Sequence, residues 1–172
     1  HFFWVDERCV PPDHPESNFG LARDVLLSPL GIAESQVHRI LGEAEPDFAA
    51  SQAEADLRRL ARINDDGGPV LDLILLGMGE DGHVASLFPG GPDVRENPPA
   101  IYECVRAPKA PPLRITLSYA AIAAAREVWV LASGRAKEQA LAESLALDGR
   151  TPLARVLRAR RRTVLLTDVG LA

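Results

Sequence analysis

The chain is poor in cysteine and lysine, and these shortages narrow its chemistry. Of 172 residues only Cys9 and Cys104 are cysteines. They form no CxxC and no metal-spaced group, which argues against a disulfide scaffold and favours a reducing, cytoplasmic compartment. The four histidines, His1, His14, His38 and His83, show no HxH or HxxxH spacing, so a metal site is not expected. Lysine occurs only at Lys109 and Lys137; every other basic residue is arginine. Asp+Glu 24 exceed Lys+Arg 19, for a net charge of -5. That argues against a nucleic-acid partner, whose phosphates call for a basic face. A small anion needs only a local basic pocket and stays open. No apolar run approaches membrane-spanning length, and the opening HFFWVDERCV lacks the basic and apolar regions of a signal peptide. Without a GxSxG, a serine-hydrolase elbow is not available.

What is present fits one α/β domain. Hydrophobic content is 47% and charged content 25%, ordinary for a soluble globular chain of this length. Short apolar runs at 1–5, 71–76, 114–118, 128–132 and 163–167 read as strands. Most are continuous rather than alternating, which suits strands covered on both faces. Helical patterns lie between them, at 18–27 behind a Ser17 N-cap, 47–63, 120–126, 135–147 and 152–158. In the second of these, Phe48, Ala55, Leu57, Leu60 and Ile63 mark the apolar stripe, and His38 reads as a helix-surface residue. The stretch 88–112, with seven prolines and two glycines, reads as a surface loop. Strands alternating with helices predict a Rossmann-like open, mostly parallel sheet with helices on both faces.

Ligands bind such sheets outside the carboxyl ends of the strands. Three strand candidates end in polar clusters: Asp6-Glu7-Arg8, the loop Gly77-Met78-Gly79-Glu80-Asp81-Gly82-His83, and Ser133-Gly134-Arg135-Ala136-Lys137. Parallel strands would place all three on one edge. His83 sits among glycines that let the backbone bring an imidazole to a ligand, and histidine accepts a proton near neutral pH. A histidine bonding its own surface turn is the plainer alternative, but the glycine frame at a strand end favours a general base. Glu80 and Asp81 would orient the imidazole, bind sugar hydroxyls, or simply suit a turn. The glycine turn and Lys137 at a helix start suit an anion such as phosphate. Arg8 and Arg114 are further anion candidates. Cys9, behind a strand, reads as a nucleophile or, more commonly, a small apolar filler.

Four segments then carry a resemblance: FFWVDERCVPPDHPESNFG, LDLILLGMGEDGHVASLFPG, APPLRITLSYAAIAAAREVWVLASGRAK and the closing LLTD. The chain resembles the 6-phosphogluconolactonase and glucosamine-6-phosphate deaminase family. The resemblance implies hydrolysis of 6-phosphoglucono-δ-lactone without metal or nucleotide. His83 would be the base, with Asp6, Arg8, Asn18 and Asp81 lining the pocket and Lys137 and Arg114 holding phosphate. The deaminase chemistry of the same family uses a glutamate five positions after the loop histidine, where this chain has Phe88. A sugar-phosphate-binding protein without turnover is the non-enzymatic alternative. Family members also carry an upstream strand and an SGGSTP-like phosphate loop that do not occur here. The expectation is therefore an N-terminally truncated fold and weakened phosphate binding. It also includes an uncovered sheet edge or apolar face that favours self-association.

Overall fold

A computed structural model of the chain describes residues 1–91 and 100–170. The elements begin with β1 (Phe2–Phe3), β2 (Asp6–Arg8) and α1 (Asn18–Ala22), which runs directly into a π-helical turn, Arg23–Leu27. Next come β3 (Val37–His38), α2 (Pro46–Leu60), β4 (Arg62–Ile63), β5 (Pro69–Val70) and β6 (Leu73–Gly77). The second half holds β7 (Tyr102–Arg106), β8 (Leu113–Leu117), α3 (Tyr119–Ala124), β9 (Glu127–Ala132), α4 (Glu138–Leu145), α5 (Pro152–Arg158) and β10 (Val164–Thr167). None of the described helices is long and apolar enough to cross a membrane.

Two three-stranded sheets organise this mixed α/β fold. One is parallel, in the order β10-β9-β6, with Leu76 opposite Val130 and Val130 opposite Leu165. The other is antiparallel, in the order β2-β8-β7. Side-chain caps fix where several helices start. Ser17, Ser118 and Thr151 accept from the backbone N–H groups of Gly20, Ala121 and Ala154. Helix α2 has Pro46 in its first turn and Arg58 and Arg59 in its last, matching its macrodipole.

A continuous core joins the sheets. Ile74, Leu76, Val128 and Val130 pack in it with Ile122, Leu141, Leu153 and Val156, while Ile115, Leu117, Ala53 and Leu57 extend it beneath the antiparallel sheet. The opposite face of the parallel sheet is open among the described residues. Leu75 is 53% exposed beside Leu76 at 0%, and Leu73, Leu131 and Leu166 are exposed with it. A groove of 820 Å³ runs along β6, lined by Phe2, Trp4, Leu26, Leu73 and Leu75 among others. The expected coverage of the apolar runs on both faces is therefore not seen among the described residues, where Leu73, Leu75, Leu131 and Leu166 stay exposed.

Several expectations need correction. The 1–5 strand is only Phe2–Phe3, paired parallel with Val37–His38, so His38 is a strand residue. The Asp6-Glu7-Arg8 cluster is itself a strand, antiparallel to β8, and not the loop after a parallel one. Tyr102–Arg106 is a strand inside the proline-rich stretch, because long-range pairing with β8 overrides local turn composition. Residues 92–99 of that stretch lie outside the described residues. In α2 the buried stripe is Ala49, Ala50, Ala53 and Leu57, whereas Phe48 and Ala55 are exposed and Ile63 belongs to β4. The small alanines let α2 lie close against β7 and β8.

Candidate active site

The loop after β6 is built around its glycines. The N–H of Gly79 donates to the His83 carbonyl (2.9 Å), that of Gly82 to the Gly79 carbonyl (3.0 Å), and Met78 bridges Val84 across the base. A Cβ on Gly79 would lie 2.0 Å from the His83 ring, and Gly82 has φ +77 with a Cβ position 2.7 Å from Thr151. Neither position tolerates a side chain without moving the loop. Helix α5 anchors the turn, because the Leu153 N–H donates to the Gly82 carbonyl.

Asp81 is the carboxylate that meets His83. Its Oδ1 accepts from the His83 backbone N–H (3.1 Å) and lies 2.5 Å from ring Nδ1. An ionised carboxylate only accepts, so the ring proton belongs on Nδ1 and the lone pair on Nε2. Burial pushes the Asp81 carboxyl up, but the hydrogen bonds from the His83 ring and backbone outweigh it and hold it below the usual range. Glu80 is exposed and does not line the cleft; of the two acidic loop residues, the turn directs only Asp81 to the ring.

His83 opens on a cleft of 260 Å³ also lined by Asp6, Arg8, Asn18, Gly79 and Arg114. The larger groove along β6 has none of the loop's residues in its wall, so the smaller cleft is the candidate site. Strand register assembles its polar face: Arg8 lies opposite Arg114 and Asp6 opposite Thr116. Two arginines facing across a sheet repel unless an anion joins them. Arg114 is only 5% exposed, donates from Nε to the Pro111 carbonyl (3.1 Å) and makes no ion pair among the described residues. Its burial, then the charge of Arg8, lower its pKa against the opposing pull of Asp6 and Glu16. Arg8 is partly satisfied by the Glu16 carbonyl (2.7 Å) and carboxylate (3.2 Å).

Two residues that the sequence reading missed hold this face in place. Glu7 is 2% exposed and points the other way from Asp6 and Arg8. It accepts from Ser17 Oγ and from the backbone N–H groups of Arg8, Asn18 and Phe19, at 2.7–3.1 Å. That docks the start of α1 on β2 and presents Asn18, whose Nδ2 donates to the Asp6 carbonyl and Oδ1. Ser86 Oγ donates to Asp6 Oδ2 (2.6 Å), tying the histidine loop to β2. Ala85, at φ 50, is the one non-glycine positive-φ residue described, and this twist lets Val84 and Ser86 both turn inward. Signals for both were present in DER and in GHVAS, but nothing local says which side chain faces inward.

Lys137 does not line the cleft. It ends a short 3-10 turn, Arg135–Lys137, beyond β9, at the same edge as the histidine loop because β6 and β9 are parallel. The donors read as an anion site are engaged: Ser133 Oγ (2.7 Å) and the Gly134 N–H (2.9 Å) both bond Asp168. Those hydrogen bonds, foremost that of Ser133, hold the Asp168 carboxyl low. Cys9 is no nucleophile at neutral pH, since burial, then Cys104 and Glu7, push its thiol up to about 11. Among the described residues no three His, Cys, Asp or Glu cluster as metal ligands.

The fold and cleft together define an α/β protein with an aspartate-oriented histidine facing a pocket lined by Arg8 and Arg114. Its sequence matches the model of the glucosamine-6-phosphate isomerase/6-phosphogluconolactonase family over residues 1–165, and the chain belongs to that family. A 6-phosphogluconolactonase of Mycobacterium tuberculosis is 40% identical over 158 residues, covering 89% of this chain and 63% of the relative. A probable chloroplastic 6-phosphogluconolactonase of rice is 43% identical over 149 residues, 82% of this chain and 45% of its own length. The chain thus spans about half the length of the rice relative. Among solved structures, the Trypanosoma brucei 6-phosphogluconolactonase superposes with TM-score 0.84 at 33% identity, covering 96% of this chain and 70% of that one. A monomeric glucosamine-6-phosphate deaminase, 18% identical with TM-score 0.77, shares the fold.

Proposed function

We propose that the chain hydrolyses 6-phosphoglucono-δ-lactone to 6-phosphogluconate, with His83 as general base. The carrying observation is the Asp81–His83 pair beside Arg114. Asp81 holds the proton on Nδ1, so Nε2 takes a proton from water as its oxygen bonds the lactone carbonyl carbon. Collapse of the tetrahedral adduct breaks the bond to the ring oxygen, which receives that proton back from the imidazolium. The new carboxylic acid then ionises into solvent. Arg114 and Arg8 hold the phosphate, Asp6 and Asn18 meet the sugar hydroxyls, and Lys137 is a secondary anchor at the cleft's edge. Glu80 is assigned no step. The names of the relatives support the substrate, and Phe88 supports lactonase over deaminase chemistry, since an apolar ring stands where the latter places a carboxylate.

Turnover of the phosphorylated lactone above the buffer rate, and well above that of unphosphorylated gluconolactone, is the expected result. Equal rates on both would overturn the phosphate assignment, and no rate above buffer would overturn the activity. The open β6 face is proposed to support self-association, and the two free cysteines suit a reducing, cytoplasmic location.

A further inference from the structure

Phe88 touches the cleft without lining it. Its ring centroid lies 4.6 Å from that of His83, with the planes 31° apart. On Arg114, the guanidinium carbon lies 5.6 Å from the same ring. Both of those residues line the cleft, and Phe88 stands behind them. The Asp81 hydrogen bond pins one atom of the imidazole but leaves the ring free to swing about that contact, because the terminal torsion of histidine is broad. A packed aromatic face restricts the plane as well. The same ring offers its π face to the guanidinium of Arg114, a residue only 5% exposed.

We infer that Phe88 is a positioning residue: its ring fixes the plane of the His83 imidazole, and thereby the direction of Nε2, against the backing of Arg114. This rests on the lactonase reading for its kinetic consequence but not for its geometry. Phe88 supplies no proton and meets no substrate. Its position in SLFPG, five residues beyond His83, lets the backbone return past the imidazole after the Val84–Leu87 bridge. A leucine there would fill much of the volume without offering a flat face.

The test compares the full chain with Phe88→Leu and Phe88→Tyr, after circular dichroism has shown each variant folded. Phe88→Leu should lower kcat about tenfold, the scale of a small misplacement of a reacting group, while KM moves less than about threefold. Arg114 would still be held by the Pro111 carbonyl. Phe88→Tyr, which keeps the ring, should restore kcat to within about twofold. Nitrogen-15 spectra of the His83 ring, taken well above neutral pH, give a readout independent of turnover. The parent and Phe88→Tyr should show sharp signals of one tautomer, protonated on Nδ1, and Phe88→Leu the same tautomer with exchange-broadened signals. Should Phe88→Leu not fold, Phe88→Met carries the same comparison. Unchanged kcat in the leucine variant, equal losses in leucine and tyrosine variants, a rise in KM alone, or unchanged ring spectra would each overturn the positioning role. A parent chain without turnover would overturn the lactonase reading, and the spectra alone would then decide the role of Phe88.

Discussion

The histidine cleft and the groove along β6 share Asp6, Asn18 and Val5 in their walls, yet they are held in opposite ways. In the cleft, polar side chains are organised by one another: Asp81 on His83, Asn18 and Ser86 on Asp6, Glu16 on Arg8. Along β6, large apolar side chains face outward with nothing described above them. Hydrogen bonds between neighbouring elements can complete a polar site within this chain. An apolar sheet face is completed only by more apolar surface, and parallel sheets are ordinarily covered on both sides. Function and exposed surface are therefore separable properties here.

The largest test of that separation is at the cleft. His83→Ala should lower lactone turnover by about 10²–10⁴-fold, the usual range for a general base, with the melting temperature nearly unchanged. Spontaneous hydrolysis must be subtracted, and turnover within about threefold of the parent would remove His83 from the role. Within the parallel sheet, two adjacent leucines should behave oppositely. Leu76→Ala should cost about 2–5 kcal/mol in urea unfolding, as a fully buried side chain, whereas Leu75→Ala should cost at most about 0.5 kcal/mol. Equal costs would mean that the outer face is covered in solution. Sedimentation would then show whether a second copy covers it, and Leu75→Lys should abolish that association.

Asp81→Asn keeps the shape of the dyad and removes its charge, so kcat should drop by up to about 10⁴-fold, the loss when a triad aspartate becomes asparagine, with little change in KM. The Asp81 carboxyl is held low in the folded chain, so its contribution is present above the unfolded carboxyl pKa and lost as pH falls through the folded value. Stability of the parent should therefore decline on the acid side, and the decline should be shallower in Asp81→Asn; identical acid unfolding curves would contradict this. The smallest effects concern the anchors. Arg114→Gln should raise KM for the phosphorylated lactone by roughly ten- to a hundredfold, the value of one charge-assisted hydrogen bond. Lys137→Ala, outside the cleft, should raise it less than about tenfold and leave unphosphorylated gluconolactone unaffected. A larger effect at Lys137 than at Arg114 would reverse the two assignments.

Much of this is legible in the amino-acid sequence alone. The strands near 71–76, 128–132 and 163–167 and the helix at 152–158 are visible because local hydrophobic periodicity and capping residues announce them. The glycine-framed His83 with Asp81 was equally legible, since its geometry is local to five residues. The strand at Tyr102–Arg106 was not, nor was the antiparallel setting of Asp6–Arg8, because pairing between distant segments leaves no local mark. Lys137 stood out for its rarity, but rarity in composition does not aim a side chain.

By itself the sequence determined the chemistry available: one histidine on a turn that admits only glycine beside it, an acid two residues before it, and arginines in place of lysines. Tertiary structure alone decided which of those groups meet. Strand register set Arg8 against Arg114, an 80-residue contact joined Ser86 to Asp6, and the Asp168 carboxylate claimed donors that looked ready for phosphate. The physical reason lies in range. Backbone torsions and side-chain caps act within a few residues, whereas burial and strand pairing depend on chain segments that sequence distance does not relate.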